Sequence, residues 1–176
     1  MTVATRLSGD TIADVSRADR IVIGDGDLAT LQYSLVGNDN GRPAAVLAQK
    51  FSATGGRVGD VLIVSTSVGS STSISVAATD SGFAVAFGKA IGTDPFNSSA
   101  KQTDIAVQLF DTSGLRLGSD FIVNAASQAE QWLPSMVQFG SGDLAIAFND
   151  HGTNSNGDVS FRLLLNPIVG HQATTR

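Results

Sequence analysis

The chain of 176 residues contains no cysteine. That excludes thiolate metal sites, disulfide staples and cysteine nucleophiles, while leaving the compartment open. Charged residues make up only 15% and the net charge is −5, which argues against nucleic acid or an anionic membrane as a partner. The opening Met1-Thr2-Val3-Ala4-Thr5-Arg6 has no basic region leading into an apolar run, so no cleavable N-terminal signal peptide is expected. No apolar stretch approaches the roughly 20 residues that span a bilayer, and no membrane insertion is predicted. Absent too are the H-E-x-x-H, P-loop, dinucleotide and G-x-S-x-G patterns. Gly24-Asp25-Gly26 has no helix after it that could make a phosphate loop of it.

What the chain does have is 42% hydrophobic residues, 19 Gly and only 4 Pro. That profile is globular and turn-rich, and the length suits one well-buried core.

The chain also repeats itself. Gln49-Lys50-Phe51-Ser52-Ala53-Thr54-Gly55-Gly56-Arg57-Val58-Gly59 returns 59 residues later as Gln108-Leu109-Phe110-Asp111-Thr112-Ser113-Gly114-Leu115-Arg116-Leu117-Gly118. Asp80-Ser81-Gly82-Phe83-Ala84-Val85-Ala86-Phe87 matches Ser141-Gly142-Asp143-Leu144-Ala145-Ile146-Ala147-Phe148 with one inserted residue, and Gly24–Ala29 mirrors Gly140–Ala145. Three copies of one supersecondary unit follow, over 1–51, 52–110 and 111–165, in a single repeat domain with a tail at 166–176.

Short apolar bursts between Gly, Asn, Asp and Ser clusters read as strands and turns. They are expected near Val61–Ser65, Ser73–Ala78, Phe83–Gly88 and Asp104–Phe110 in copy two. Copy three gives Phe121–Asn124, Ser135–Phe139, Leu144–Asn149 and Val159–Leu165. Copy one gives Val3–Leu7, Arg20–Ile23, Leu28–Leu35 and Ala45–Phe51, and Asp10–Asp19 alone has helical character. The fold class is therefore all-β, with three four-stranded antiparallel repeats. Three such sheets close as a three-sheet prism, or as half of a six-bladed propeller-like ring completed by a second copy. The second closure makes the chain a homodimer. The longer loops, Lys89–Thr103 and Asn149–Asp158, recur at one place in the unit and mark one side for any site. Phe51, Phe87, Phe110 and Phe148 recur at equivalent positions and are expected in the core.

The repeat text has a further likeness. Gln108–Gly114, Leu117-Gly118-Ser119-Asp120-Phe121-Ile122-Val123-Asn124, Gln131-Trp132-Leu133-Pro134-Ser135 and Gly142 leading to Leu144–Phe148 resemble a β-rich repeat of large secreted bacterial proteins. Those proteins often carry haemolysin-type (RTX) calcium-binding arrays. The likeness covers most of Gln49 to Leu165. It implies a bacterial extracellular or cell-surface setting, but the G-x-G-x-D nonapeptides of RTX calcium sites are absent from this chain.

Oxygen ligands at alternate positions with a Gly beside them suit a hard cation such as Ca²⁺. Asp25 and Asp27, Asn38-Asp39-Asn40-Gly41, and Asn154, Asn156 and Asp158 have that form, and the last set is the best of the three. The competing reading is turn chemistry, which uses the same residues. Trp132, the only tryptophan, either stacks on a glycan or packs one unit against the next. His151 follows Asp150, but neighbours on a strand point to opposite faces, so Asp150 would not orient that ring. His171 lies in the tail.

The expected function is that of a non-catalytic binding or structural module with a glycan or protein ligand. Two alternatives stand beside it. One is a glycan-processing enzyme, which needs two carboxylates about 5 to 9.5 Å apart in one cleft. The other is a structural, oligomer-forming spacer with a large apolar interface.

Overall fold

The computed structural model describes residues 5–7, 18–20, 30–37, 43–51, 56–68, 73–93, 101–124, 130–139, 142–151 and 157–165, with most side chains from Ala45 onward. These residues form β1 (Thr5–Leu7), β2 (Ala18–Arg20), β3 (Thr30–Gly37), β4 (Pro43–Phe51), β5 (Arg57–Ser65) and β6 (Ile74–Thr79). They continue as β7 (Gly82–Thr93), β8 (Lys101–Asp111), β9 (Phe121–Ile122), β10 (Gln131–Phe139), β11 (Asp143–Asp150) and β12 (Asp158–Leu164). There is no helix among the described residues, and every strand pair is antiparallel. All but the last two residues of the segment with predicted helical character lie outside the described residues; those two, Ala18 and Asp19, open β2.

The strands sort into sheets differently from the sequence units. Sheet one runs β1-β2-β3-β4-β5, sheet two β6-β7-β8-β9 and sheet three β10-β11-β12. The expectation of three four-stranded repeats is corrected on this point. The first strand of each later repeat, β5 or β9, pairs with the last strand of the repeat before it. The expected loop at Lys89–Thr103 is also shorter, because β7 and β8 pair out to Thr93 and Lys101 around a bulge near Ala90 and Gly92.

Two compact units divide the chain, Met1–Thr66 and Ser67–Arg176. In the first, Val46, Ala48 and Val64 are buried while β5 exposes Val58, Val61 and Ile63. In the second, sheets two and three share a core. Ala77, Ala84, Ala86, Ile105, Val107 and Leu109 of sheet two meet Met136, Leu144, Ile146, Phe148 and Leu164 of sheet three. The opposite face of sheet two is buried as well, with Phe83 stacked on Phe110 at 4.9 Å between ring centroids. Phe87, Phe110 and Phe148 are core residues as expected, whereas Phe51 is half-buried.

Candidate functional site

The eleven-residue repeat is a hairpin clasp. Gln49 Nε2 donates to the carbonyls of Lys50, Val58 and Gly59 at 3.0, 3.3 and 3.3 Å. Gln108 Nε2 donates to the equivalent carbonyls of Leu109 and Gly118 at 2.8 and 3.1 Å. Phe51 pairs with Arg57, and Phe110 bridges to Arg116. Gly59 and Gly118 both take left-handed φ, at 69° and 75°, where a side chain would be strained. In the second clasp Arg116 also donates to Gln108 Oε1. The turn between its strands is closed by Asp111, whose carboxylate accepts from Ser113 Oγ and from the Leu115 N–H. Those two donors hold Asp111 below the usual carboxylate range. The repeated Gln49 and Gln108 thus have the same structural task.

Of the predicted cation ligands, Asn154 and Asn156 lie outside the described residues, as do Asp25, Asp27 and Asn38–Gly41. Asp158 is exposed at the start of β12, directly across from Asp150. Among the described residues no three His, Asp or Glu side chains gather as a metal-binding group.

Trp132 is half-buried on β10, and its ring lies 4.3 Å from that of His151, tilted by 46°. A bulge places it there. Trp132 pairs with Asn149 but Ser135 pairs with Ala147, so β10 carries one extra residue, and Leu133 beside it has φ of 55°. His151 is tied by its backbone N–H to Glu130 O at 3.1 Å. Gly157, at φ of 62°, passes so close that a Cβ there would come within 2.9 Å of the imidazole.

A buried polar chain, which sequence reasoning missed, runs through this end of the second unit. Asn124 Nδ2 donates to Asp104 Oδ1 at 3.0 Å and to Gln131 Oε1 at 3.1 Å, while Asn124 Oδ1 accepts from the Ile105 N–H at 2.8 Å. Gln131 Nε2 donates to Asp150 Oδ1 at 3.0 Å, and Ser160 Oγ reaches Asp150 Oδ2 at 3.3 Å. Burial raises the Asp104 pKa; the Asn124 bond opposes the rise, and the Asp150 charge adds to it. Two carboxylates are therefore coupled, and side-chain amides bridge them through Asp104 Oδ1 and Asp150 Oδ1. Asp150 and His151 serve opposite faces, one in this chain and the other against Trp132.

The outer face of sheet three is apolar and open. Cross-strand rows on it read Trp132–Asn149–Val159, Ser135–Ala147–Phe161 and Val137–Ala145–Leu163. Not one of these residues is charged, and Val159 and Phe161 are 76% and 74% exposed.

Comparison with protein-family models, with curated proteins and with solved structures finds no match to this chain.

Proposed function

We infer that the chain is a non-catalytic binding module that recognises another protein surface through the outer face of sheet three. The observation that carries this reading is the uncharged row Val137, Ala145, Ala147, Val159, Phe161 and Leu163, presented to solvent by a sheet whose other face buries Met136, Leu144, Ile146, Phe148 and Leu164. Contiguous exposed apolar surface of this kind marks interaction sites. The amide-bridged carboxylates favour a structural role for the polar chain over an enzymatic one. The resemblance of Gln108–Phe148 to repeats of secreted bacterial proteins supports an extracellular or surface setting, with Asn154, Asn156 and Asp158 as the ligands offered to Ca²⁺ there.

The test is dye binding. In dilute solution the wild-type chain should enhance anilinonaphthalene sulfonate fluorescence, and Phe161→Lys should reduce the enhancement several-fold with the far-UV spectrum unchanged. No enhancement from the wild type would contradict an open face. A second reading rests on the Trp132–His151 pair at the end of the same face, where an aromatic plane suits the C–H surface of a sugar. A saturable change in Trp132 fluorescence with oligosaccharides would move the ligand from protein to glycan.

A further inference from the structure

Two of the three sheets end on a strand that the next repeat supplies: β5 pairs with β4, and β9 with β8. Sheet three ends on β12, and among the described residues no strand pairs with its outer edge. Strand pairing fixes which residues of sheets two and three correspond. Ala84 pairs with Leu109 and Ala86 with Val107 in sheet two; Ala145 pairs with Leu163 and Ala147 with Phe161 in sheet three. On this register Ile105 corresponds to Val159, Val107 to Phe161 and Leu109 to Leu163.

In sheet two the segment Leu117–Asn124 covers these positions in two ways. Its backbone bonds the edge of β8: the Leu117 N–H donates to Leu109 O and the Val123 N–H to Ile105 O, both at 2.9 Å. Asn124 Oδ1 accepts from the Ile105 N–H at 2.8 Å. Its side chains Leu117, Phe121 and Val123 join the core that holds Ile105, Val107 and Leu109. Inward and outward bonding alternate along an antiparallel strand, so the same edge groups on β12 belong to Val159, Phe161 and Leu163. Their side chains are the exposed row, and none of the three is a proline or a charged residue of the kind that guards an open edge. The sequence does not repeat the covering segment here. Phe121 lies 14 positions after Val107, and 14 positions after Phe161 stands Thr175. The clasp is missing as well, because Arg162 takes the place of Gln108 and its Nε donates to Val123 O at 3.1 Å.

We propose that β12 binds an extended segment of another polypeptide, which adds a fourth, antiparallel strand to sheet three and sets apolar side chains beside Val159, Phe161 and Leu163. Strand addition takes its affinity from main-chain hydrogen bonds and its specificity from alternate side chains. The segment that fits has the form of Leu117–Asn124, with large apolar residues at its first, fifth and seventh places. An asparagine at the eighth caps the Val159 N–H as Asn124 caps that of Ile105. Every group invoked on this chain lies within the second unit. The proposal rests on the reading of the outer face as an interaction surface and names the chemistry of its partner.

The probe is a fluorescein-labelled peptide with the sequence of Leu117–Asn124, titrated by anisotropy against the intact chain and read beside the dye assay. It should bind saturably. N-methylation of the peptide's valine amide, which faces β12, should weaken binding by about tenfold or more, whereas N-methylation of its isoleucine amide, which faces away, should leave binding nearly unchanged. In the protein, Val159→Pro removes one outward N–H at an edge position that tolerates proline and keeps the side chain apolar. It should weaken the peptide by about tenfold while dye binding and the far-UV spectrum stay as in the wild type. Binding indifferent to the valine N-methylation or to Val159→Pro would overturn strand addition on β12. So would a protein that binds dye but no peptide up to about 1 mM, and the outer face would then stand as a surface for a different partner. A protein that binds neither covers its own edge and face, and the functional reading fails together with the proposal.

Discussion

Gly82→Ala should destabilise the second unit by about 4 kcal/mol or more, a large fraction of the roughly 5–15 kcal/mol that holds a domain folded. Thr79 pairs with Gly82 across the two-residue turn Asp80-Ser81, and on its other side Gly82 pairs with Asp111. A Cβ built on Gly82 would stand 2.1 Å from Phe110 O and 2.5 Å from the Asp111 carbonyl carbon. Both obstacles are backbone of β8, so relief requires pulling apart the end of the β7–β8 ladder at the Gly82–Asp111 pair. Gly59→Ala is the control. Its φ is also positive, but nothing lies within 4 Å of the added methyl, so the cost should be the conformational term alone, about 1–2 kcal/mol. Urea titration of the two variants separates close approach from dihedral preference.

Gln131→Glu should be the next most damaging change, and its effect should depend on pH. The side chain is fully buried, accepting from Asn124 and donating to Asp150. The substitution preserves shape while replacing the donor to Asp150 with a third carboxylate between Asp104 and Asp150. The field there already raises the Asp104 pKa, through burial and the Asp150 charge. The introduced carboxyl therefore has a folded pKa above its unfolded value of about 4.3. Stability from the protonated form is fully present below that unfolded value and is lost as pH rises through the folded pKa. The variant should be about 3–5 kcal/mol less stable than wild type at neutral pH. Near pH 4, by the same linkage, the gap should narrow, because the protonated group can donate to Asp150 again. Thermal melts across pH give the answer; an equal loss at both ends would mean that volume or local geometry, and not charge, governs the site.

Much of the strand content was legible because alternation and turn chemistry are local. Val159-Ser160-Phe161-Arg162-Leu163 and Leu144–Phe148 declare themselves without reference to anything distant. Sheet membership was not legible in the same way. The strongest repeat signal, Gln108 to Gly118, spans a turn and both of its flanks, so unit boundaries drawn at Phe51 and Phe110 cut through hairpins that the Gln clasps hold together. Sequence periodicity counts copies but does not say which strand closes which sheet.

The candidate site was legible only in fragments. Trp132 stood out by rarity and His151 as a residue facing away from Asp150, but nothing in the sequence joins the two rings. Asn124 and Gln131 were present in the repeat text, yet no local pattern marks the 3.1 Å bond between their side chains. Nor could the open face be told from a covered one. Val107 and Phe161 sit in equally apolar alternating strands, and only packing distinguishes 0% from 74% exposure.

The absence of native cysteine makes that contrast directly measurable. Single cysteines placed by Phe161→Cys and Val107→Cys report the two equivalent positions through their rates of reaction with a thiol reagent. In dilute solution Phe161→Cys should react at the rate of a free thiol, and Val107→Cys should be protected by at least about 10³-fold, as expected for a core site that opens only through unfolding. Equal protection at both positions in dilute solution would contradict the account, because the face taken here for the recognition surface would then be covered within a single chain.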